Sequence, residues 1–146
     1  MDLPDYEDKV IAELVANLTA SVEVRAYPDD YPDYVAQLKH PGGAILTVFQ
    51  GTFWNPPEGN PAETLTQEAV YTWQFTVIQK SLKRQKNAHG IYDILEEIRT
   101  ILSGFTPAGF NDAGVLFPVD QGFLEKRKGF YVYQITMGHT LEESEE

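Results

Sequence analysis

The segment EAVYTWQFTVIQK, residues 68–80, leaves this chain few ways to fold. Tyr71, Trp73, Phe75 and Val77 fall on one side of it, and Val70, Thr72, Thr76 and Ile78 on the other. A period of two residues belongs to a β-strand. Bulk on both sides means that both faces need cover. The segment is therefore expected at the centre of a sheet, or covered on its second side by a neighbouring subunit.

The rest of the chain supplies neighbours for it. SVEVRAY (21–27) alternates like a half-buried strand, and AILTVFQG (44–51) is rich in β-branched residues. GVLFPVDQGFLEKRKGFYVYQITM predicts a hairpin, with its first arm to about Glu125, a KRKG turn, and Tyr131, Tyr133, Ile135 and Met137 on one face of the second arm. Residues 4–19 predict an amphipathic helix, with Pro4 in its first turn and Val10, Ile11, Leu14, Val15 and Leu18 as the apolar face. NAHGIYDILEEIRTILSGF predicts a second helix, with a stripe of Ile91, Ile94, Leu95, Ile98, Ile101 and Leu102 and Gly104 at its C-terminal cap. YPDDYPDYV reads as a solvated turn anchored by Tyr27, Tyr31 and Tyr34. TFWNPPEGNPAETLTQE reads as a long loop, of a length that is either functional or mobile in a small domain.

The order helix, strands, helix, hairpin predicts an α+β fold, a mostly antiparallel sheet of about five strands with two main helices packed on it. Two helices leave one sheet face short of cover, so self-association is expected. A single domain is expected over 1–140, with a flexible acidic tail over 141–146.

Charge is placed unevenly. The net charge is −11 over 146 residues: residues 1–79 hold three basic and twelve acidic side chains, residues 80–141 eight and six, and the final EESEE four acids. An acidic surface argues against conventional DNA binding and suits one that nucleic acid must not stick to. Against this background Lys80, Lys83, Arg84 and Lys86 cluster beside the central strand, and Lys126, Arg127 and Lys128 in the hairpin turn. The first cluster reads as phosphate contacts or as a solvated strand-to-helix connection; taken with the second, seven of the eleven basic residues, it reads as a positive rim that docks on the acidic half of an adjacent copy.

The chain is poor in readable chemistry. It has no cysteine, hence no disulfide or thiolate ligand, and an intracellular folding environment is the simpler expectation. MDLPDYEDKV lacks the basic and apolar regions of a signal peptide, and no apolar run reaches membrane-spanning length. His40, His89 and His139 carry no metal-ligand spacing and read as a turn residue, a helix-terminus residue and an exposed residue. Asp29, Asp30 and Asp33 lack the further oxygen ligands of a calcium loop. PGG at 41–43 is no phosphate loop, there is no GxSxG, and Glu96 and Glu97 read as a solvated helix face. No catalytic residue, metal site or cofactor is expected.

Two stretches carry a resemblance. GIYDILEEIRTILSGFTP (90–107) resembles the helix and Gly-Phe-x-Pro turn of a family of small proteins in Mu-like contractile-tailed phages. GFLEKRKGFYVYQITM (122–137) resembles that family's closing hairpin, and WQFTVIQKSLKRQ its long strand. The likeness covers about 68–137; the first half fits in the order of its elements, while the proline-rich loop at 53–61 and the acidic tail match no pattern. The resemblance implies a tail terminator, or tail-completion protein. Such a protein is a structural virion component, not an enzyme. It forms a ring, typically a hexamer, that caps the tail tube at its head-proximal end, holds the last sheath ring and faces the neck or connector protein. DNA passes through the lumen without specific binding, and no membrane is involved. The expected location is the virion tail, and the host cytoplasm during assembly; headless contractile injection systems use the same role. The basic residues are then expected at lateral or sheath contacts. The loop over 51–67, with Phe53, Trp54 and Asn55, is expected at axial partners. Competing expectations are another neck or head–tail connector ring protein, a small adaptor domain unrelated to tails that stays monomeric or dimeric, and an enzyme of unrecognised type.

Overall fold

A computed structural model describes residues 1–39, 42–56, 65–82 and 90–145. Among these are three helices and five strands: α1 (Leu3–Asn17), β1 (Glu23–Ala26), α2 (Tyr31–Ala36), β2 (Ala44–Trp54), β3 (Leu65–Gln79), α3 (Ile91–Leu102), β4 (Phe117–Arg127) and β5 (Phe130–Glu145). The strands form one mixed sheet in the order β1-β2-β3-β5-β4, which is an α+β architecture. The segment with two bulky faces, β3, is its middle strand. Three neighbouring pairs are antiparallel, while β1 and β2 run parallel. Parallel neighbours need a crossover, and the chain between β1 and β2 provides it through α2.

The helix α2 occupies the stretch that reads as a turn. Asp30 caps it, its carboxylate accepting from the Asp33 backbone N–H at 3.2 Å, and a proline lies in the first turn. Asp-Tyr-Pro is a legitimate helix start, and the prolines and aspartates that argue for a break argue equally for that start.

α1 and α3 pack on one sheet face. The core there joins Tyr6, Val10 and Leu14 of α1 to the α3 stripe and to Ile45, Trp73, Phe75, Val77, Ile135 and Met137 of the sheet. In α3 the buried residues are Ile91, Ile94, Leu95, Ile98 and Leu102, each such side chain contributing about 2 kcal/mol. Gly104 follows the α3 cap with φ +82°, the left-handed turn that glycine supplies after a helix. α1 is rotated from its expected face: Tyr6 is buried and Val15 is exposed, because the row of residues spaced by four runs 6–10–14. Glu97, expected in solvent, accepts from the Thr19 backbone at 2.8 Å and so ties the end of α1 to α3.

On the opposite face Val35 of α2 joins Ala44, Leu46, Ile78, Phe130 and Val132 in a smaller core, which covers one end of the sheet.

The hairpin closes more tightly than KRKG suggests. Arg127 pairs with Phe130, leaving Lys128 and Gly129 as a two-residue turn with φ +53° and +83°. Positive φ at both positions matches the right-handed twist of the arms, but it is unfavourable at lysine by about 1 kcal/mol. Lys128→Asn is expected to stabilise by about 0.5–1 kcal/mol. A thermal melt should then rise by about 2–4 °C, and an unchanged or lower midpoint would contradict the strain assigned to Lys128.

Residues 141–145, expected as a flexible tail, continue β5. Their backbone pairs with β3 from Leu65 to Ala69. Ladder bonds use only main-chain groups, so a charged, apolar-poor sequence pairs once β3 offers an open partner.

Candidate interaction surface

The two ends of the sheet differ in the charged residues that the strands bring to them. At one end β3 finishes at Gln79 and the β4–β5 turn closes, which gathers Lys80, Lys126, Arg127 and Lys128. Each of the first three lies over an aromatic ring. The Lys80 ammonium is 5.4 Å from the Phe130 ring centre, that of Lys126 4.9 Å from Tyr131, and the Arg127 guanidinium 5.8 Å from Tyr31. Such contacts fix long cationic side chains without removing their charge. Arg127 also pairs with Glu125. Lys83, Arg84 and Lys86 lie outside the described residues.

At the other end β2 and β3 are joined through Phe53, Trp54 and Asn55. Phe53 and Trp54 are strand residues, not loop residues, with register partners Val70 and Ala69. The loop reading stretched too far because the prolines begin only at Pro56. Asn55 is tied down as well: its backbone N–H donates to the Glu68 carbonyl at 2.9 Å, and its amide to the Glu68 carboxylate at 2.8 Å. The same end holds Glu142, Glu143 and Glu145 of β5, opposite Glu68, Gln67 and Leu65.

Between the ends, the face away from α1 and α3 is only partly covered. Its rows are Val48 on β2, Thr72, Gln74 and Thr76 on β3, and Gln134 and Thr136 on β5, as the register dictates. Two irregularities in β4, between Pro118 and Asp120 and between Phe123 and Glu125, each insert one residue. The inserted residues are Val119 and Leu124, and both are exposed. Bulges of this kind re-aim side chains and spoil an edge for strand pairing. The Cβ position of Gly138 lies 3.1 Å from a Val119 methyl and 3.4 Å from the Phe117 ring, so these side chains lie across that glycine. The second bulge sets Leu124 opposite α2. There an open groove of about 180 Å³ is lined by Tyr27, Tyr31, Val48, Gln74, Thr76 and Leu124, with Glu125 at its margin. Tyr27 and Tyr31 stack at 5.2 Å in its wall. Burial, with Glu125 adding to it, pushes the Tyr31 phenol up to about 12, so the hydroxyl stays neutral. The groove was not legible in the sequence: Leu124 counts as an ordinary strand residue until the bulge is known.

One of the three histidines departs from its expected place. His139, expected in solvent, is fully buried. It lies in the aromatic stack beneath α1, 4.5 Å from Tyr6 and 5.3 Å from Tyr71, and accepts from the Trp73 indole N–H through Nε2 at 3.3 Å. It belongs there because it continues the alternation Tyr131, Tyr133, Ile135, Met137 along β5. His40 and His89 lie outside the described residues. Asp30 and Asp33 serve α2, Asp33 also accepting from Gln37. Among the described residues no three His, Asp or Glu side chains are gathered as metal ligands, and no helix is long and apolar enough to cross a membrane.

The sequence matches the Gp37 protein family over residues 10–143, from the middle of α1 to two residues before the end of β5. This chain belongs to the Gp37 family. The family is phage-associated, and the match takes in the sheet except the last two residues of β5, together with the groove of this Gp37-family chain. No curated protein matches the chain.

Proposed function

We propose that this protein is a structural component of the phage tail, the tail terminator. In this reading copies of the chain form a ring, typically of six, on the head-proximal end of the tail tube. The ring stops tube growth, holds the last ring of sheath and meets the neck or connector protein. The observation that carries the reading is the match to a phage-associated family along almost the entire chain, taken with the likeness of residues 68–137 to terminator proteins. The physical features are compatible with it. A net charge of −11 suits a conduit that DNA crosses without sticking. A sheet whose two ends differ in their charged residues suits contacts that repeat from copy to copy. Trp54 and Asn55 are assigned to axial partners, and Lys80, Lys126, Arg127 and Lys128 to lateral or sheath contacts. The role is mechanical, with no chemical step and no cofactor.

The test is electron microscopy of tails assembled with tagged protein. A single ring of label at the head-proximal tail end is the expected result. Label along the tube, at the baseplate or nowhere on the particle would overturn the terminator reading.

A further inference from the structure

We infer that the groove walled by Tyr27, Tyr31 and Leu124 receives Phe53 of a second copy of this chain. The two features lie on the same sheet face, Phe53 toward one end and the groove from the middle of β3 toward the other. Phe53 shares its side with Val70, its register partner, and is 54% exposed. A large aromatic ring left on a surface is a common anchor of an interface. The groove is open, about 180 Å³, with two tyrosine rings, Val48 and Leu124 as apolar walls and Gln74, Thr76 and Glu125 as polar ones, and its tyrosines offer an incoming ring stacked or edge-to-face contact.

Phe53 cannot reach the groove of its own chain. Leu124 lies between Phe123 and Glu125, whose β5 partners Tyr133 and Val132 face Val77 and Ile78 of β3. From Val70 to Gln74, the nearest groove residue on β3, a strand already rises roughly 13 Å, and to Val77 roughly 23 Å. The ring therefore serves another molecule.

Charge selects a second copy as that molecule. Phe53 stands beside exposed Glu68, at the end where β5 contributes Glu142, Glu143 and Glu145. The groove stands beside Arg127, at the end that holds Lys80, Lys126 and Lys128. Arg127 is shared with Glu125, and Asp30 and Asp33 bond within α2, so the positive charge left to meet a partner here is that of Lys80, Lys126 and Lys128. Seating Phe53 of one copy in the groove of another brings Glu68 toward Arg127 and sets the acidic end over the basic one. Seating two like ends together would oppose like charges, so head-to-tail contact is favoured. Edge pairing does not compete at β4, where Pro118 and two bulges interrupt the ladder. The contact goes beyond the terminator reading and stands whether or not the copies belong to a tail.

The absence of native cysteine makes the test direct. Phe53→Cys and Leu124→Cys proteins are purified separately, mixed and mildly oxidised. A disulfide needs Cα atoms within about 7 Å, so the pair can form only between chains. The expected result is a linked dimer containing one chain of each kind, formed about tenfold faster than either variant links to itself and slowed by salt. Arg127→Glu on the Leu124→Cys chain should slow it, and adding Glu68→Lys on the Phe53→Cys chain should restore it. Sedimentation of the unmodified protein gives a second readout, with association at low salt that weakens at high salt. A mixture that links no faster than its components, or an unmodified protein that stays monomeric at every concentration and salt, would overturn the contact. Failure here leaves the position of the tail label untouched, and a misplaced label leaves this contact untouched.

Discussion

Gly43→Ala should be among the most damaging single substitutions in this protein. Gly43 has φ +86°, and a Cβ at that position would sit 2.0 Å from the Ile78 carbonyl oxygen, 3.1 Å from its carbon and 3.3 Å from the Gln79 Cα. All three are main-chain atoms of the central strand, so no side-chain rotation relieves the overlap. The surroundings are pinned as well: the Gly42 carbonyl accepts from the Gln79 amide at 2.7 Å, and the Gly43 carbonyl from the Glu23 backbone at 3.1 Å. The strain of a left-handed alanine and the forced separation of β2 from β3 together cost about 3–5 kcal/mol. That is a large part of the stability of an ordinary domain, and a thermal midpoint should fall by about 10 °C or more. Gly104→Ala is the control. Its φ is also positive but its Cβ would meet nothing within 4 Å, so only the conformational cost of about 1 kcal/mol remains. Equal midpoints for the two variants would refute the close approach at Gly43.

The second large effect is a loss of stability in acid through His139. Burial pushes its pKa down to about 4, the Thr140 backbone opposing this only in part. The geometry gives the same sign. The Trp73 indole is a donor only, and its N–H points at Nε2; a protonated imidazole has a hydrogen on both nitrogens and can no longer accept. Unfolding returns the ring to water, where its pKa is near 6.5. Between those values the unfolded chain binds the proton and the folded chain does not. The contribution is therefore fully present above about pH 6.5 and is lost as pH falls toward 4, by on the order of 3 kcal/mol in total. Denaturant melts at pH 7, 5.5 and 4.5 read it directly. His139→Gln keeps an acceptor for Trp73 but cannot titrate in this range. It should be less stable than the native chain at pH 7 and should lose less as the pH drops. If both proteins lose stability in parallel, the assignment to His139 is wrong.

Periodicity determined a good deal of this molecule. The two bulky faces of EAVYTWQFTVIQK required a central strand, and β3 is one. The Ile/Leu stripe of residues 91–102 required a buried helical face, and the aromatic alternation after KRKG required a strand. These are local patterns, and a side chain's place in them follows from spacing alone. Pairing decided the rest. Whether β1 joins β2 in parallel, whether β5 runs on through the acidic tail, and whether His139 meets solvent or Trp73 all depend on which strands lie side by side. The same holds for function-bearing features. Lys80 and Arg127 are far apart in sequence and share one end of the sheet only because β3 and the hairpin finish together. Phe53 and Leu124 share a face only because one residue inserted near Gly51 and another at Leu124 shift the ladder. A single-residue shift turns every following side chain to the other face, and no local pattern records it, so the sequence determined the elements and the tertiary structure decided which of their residues meet.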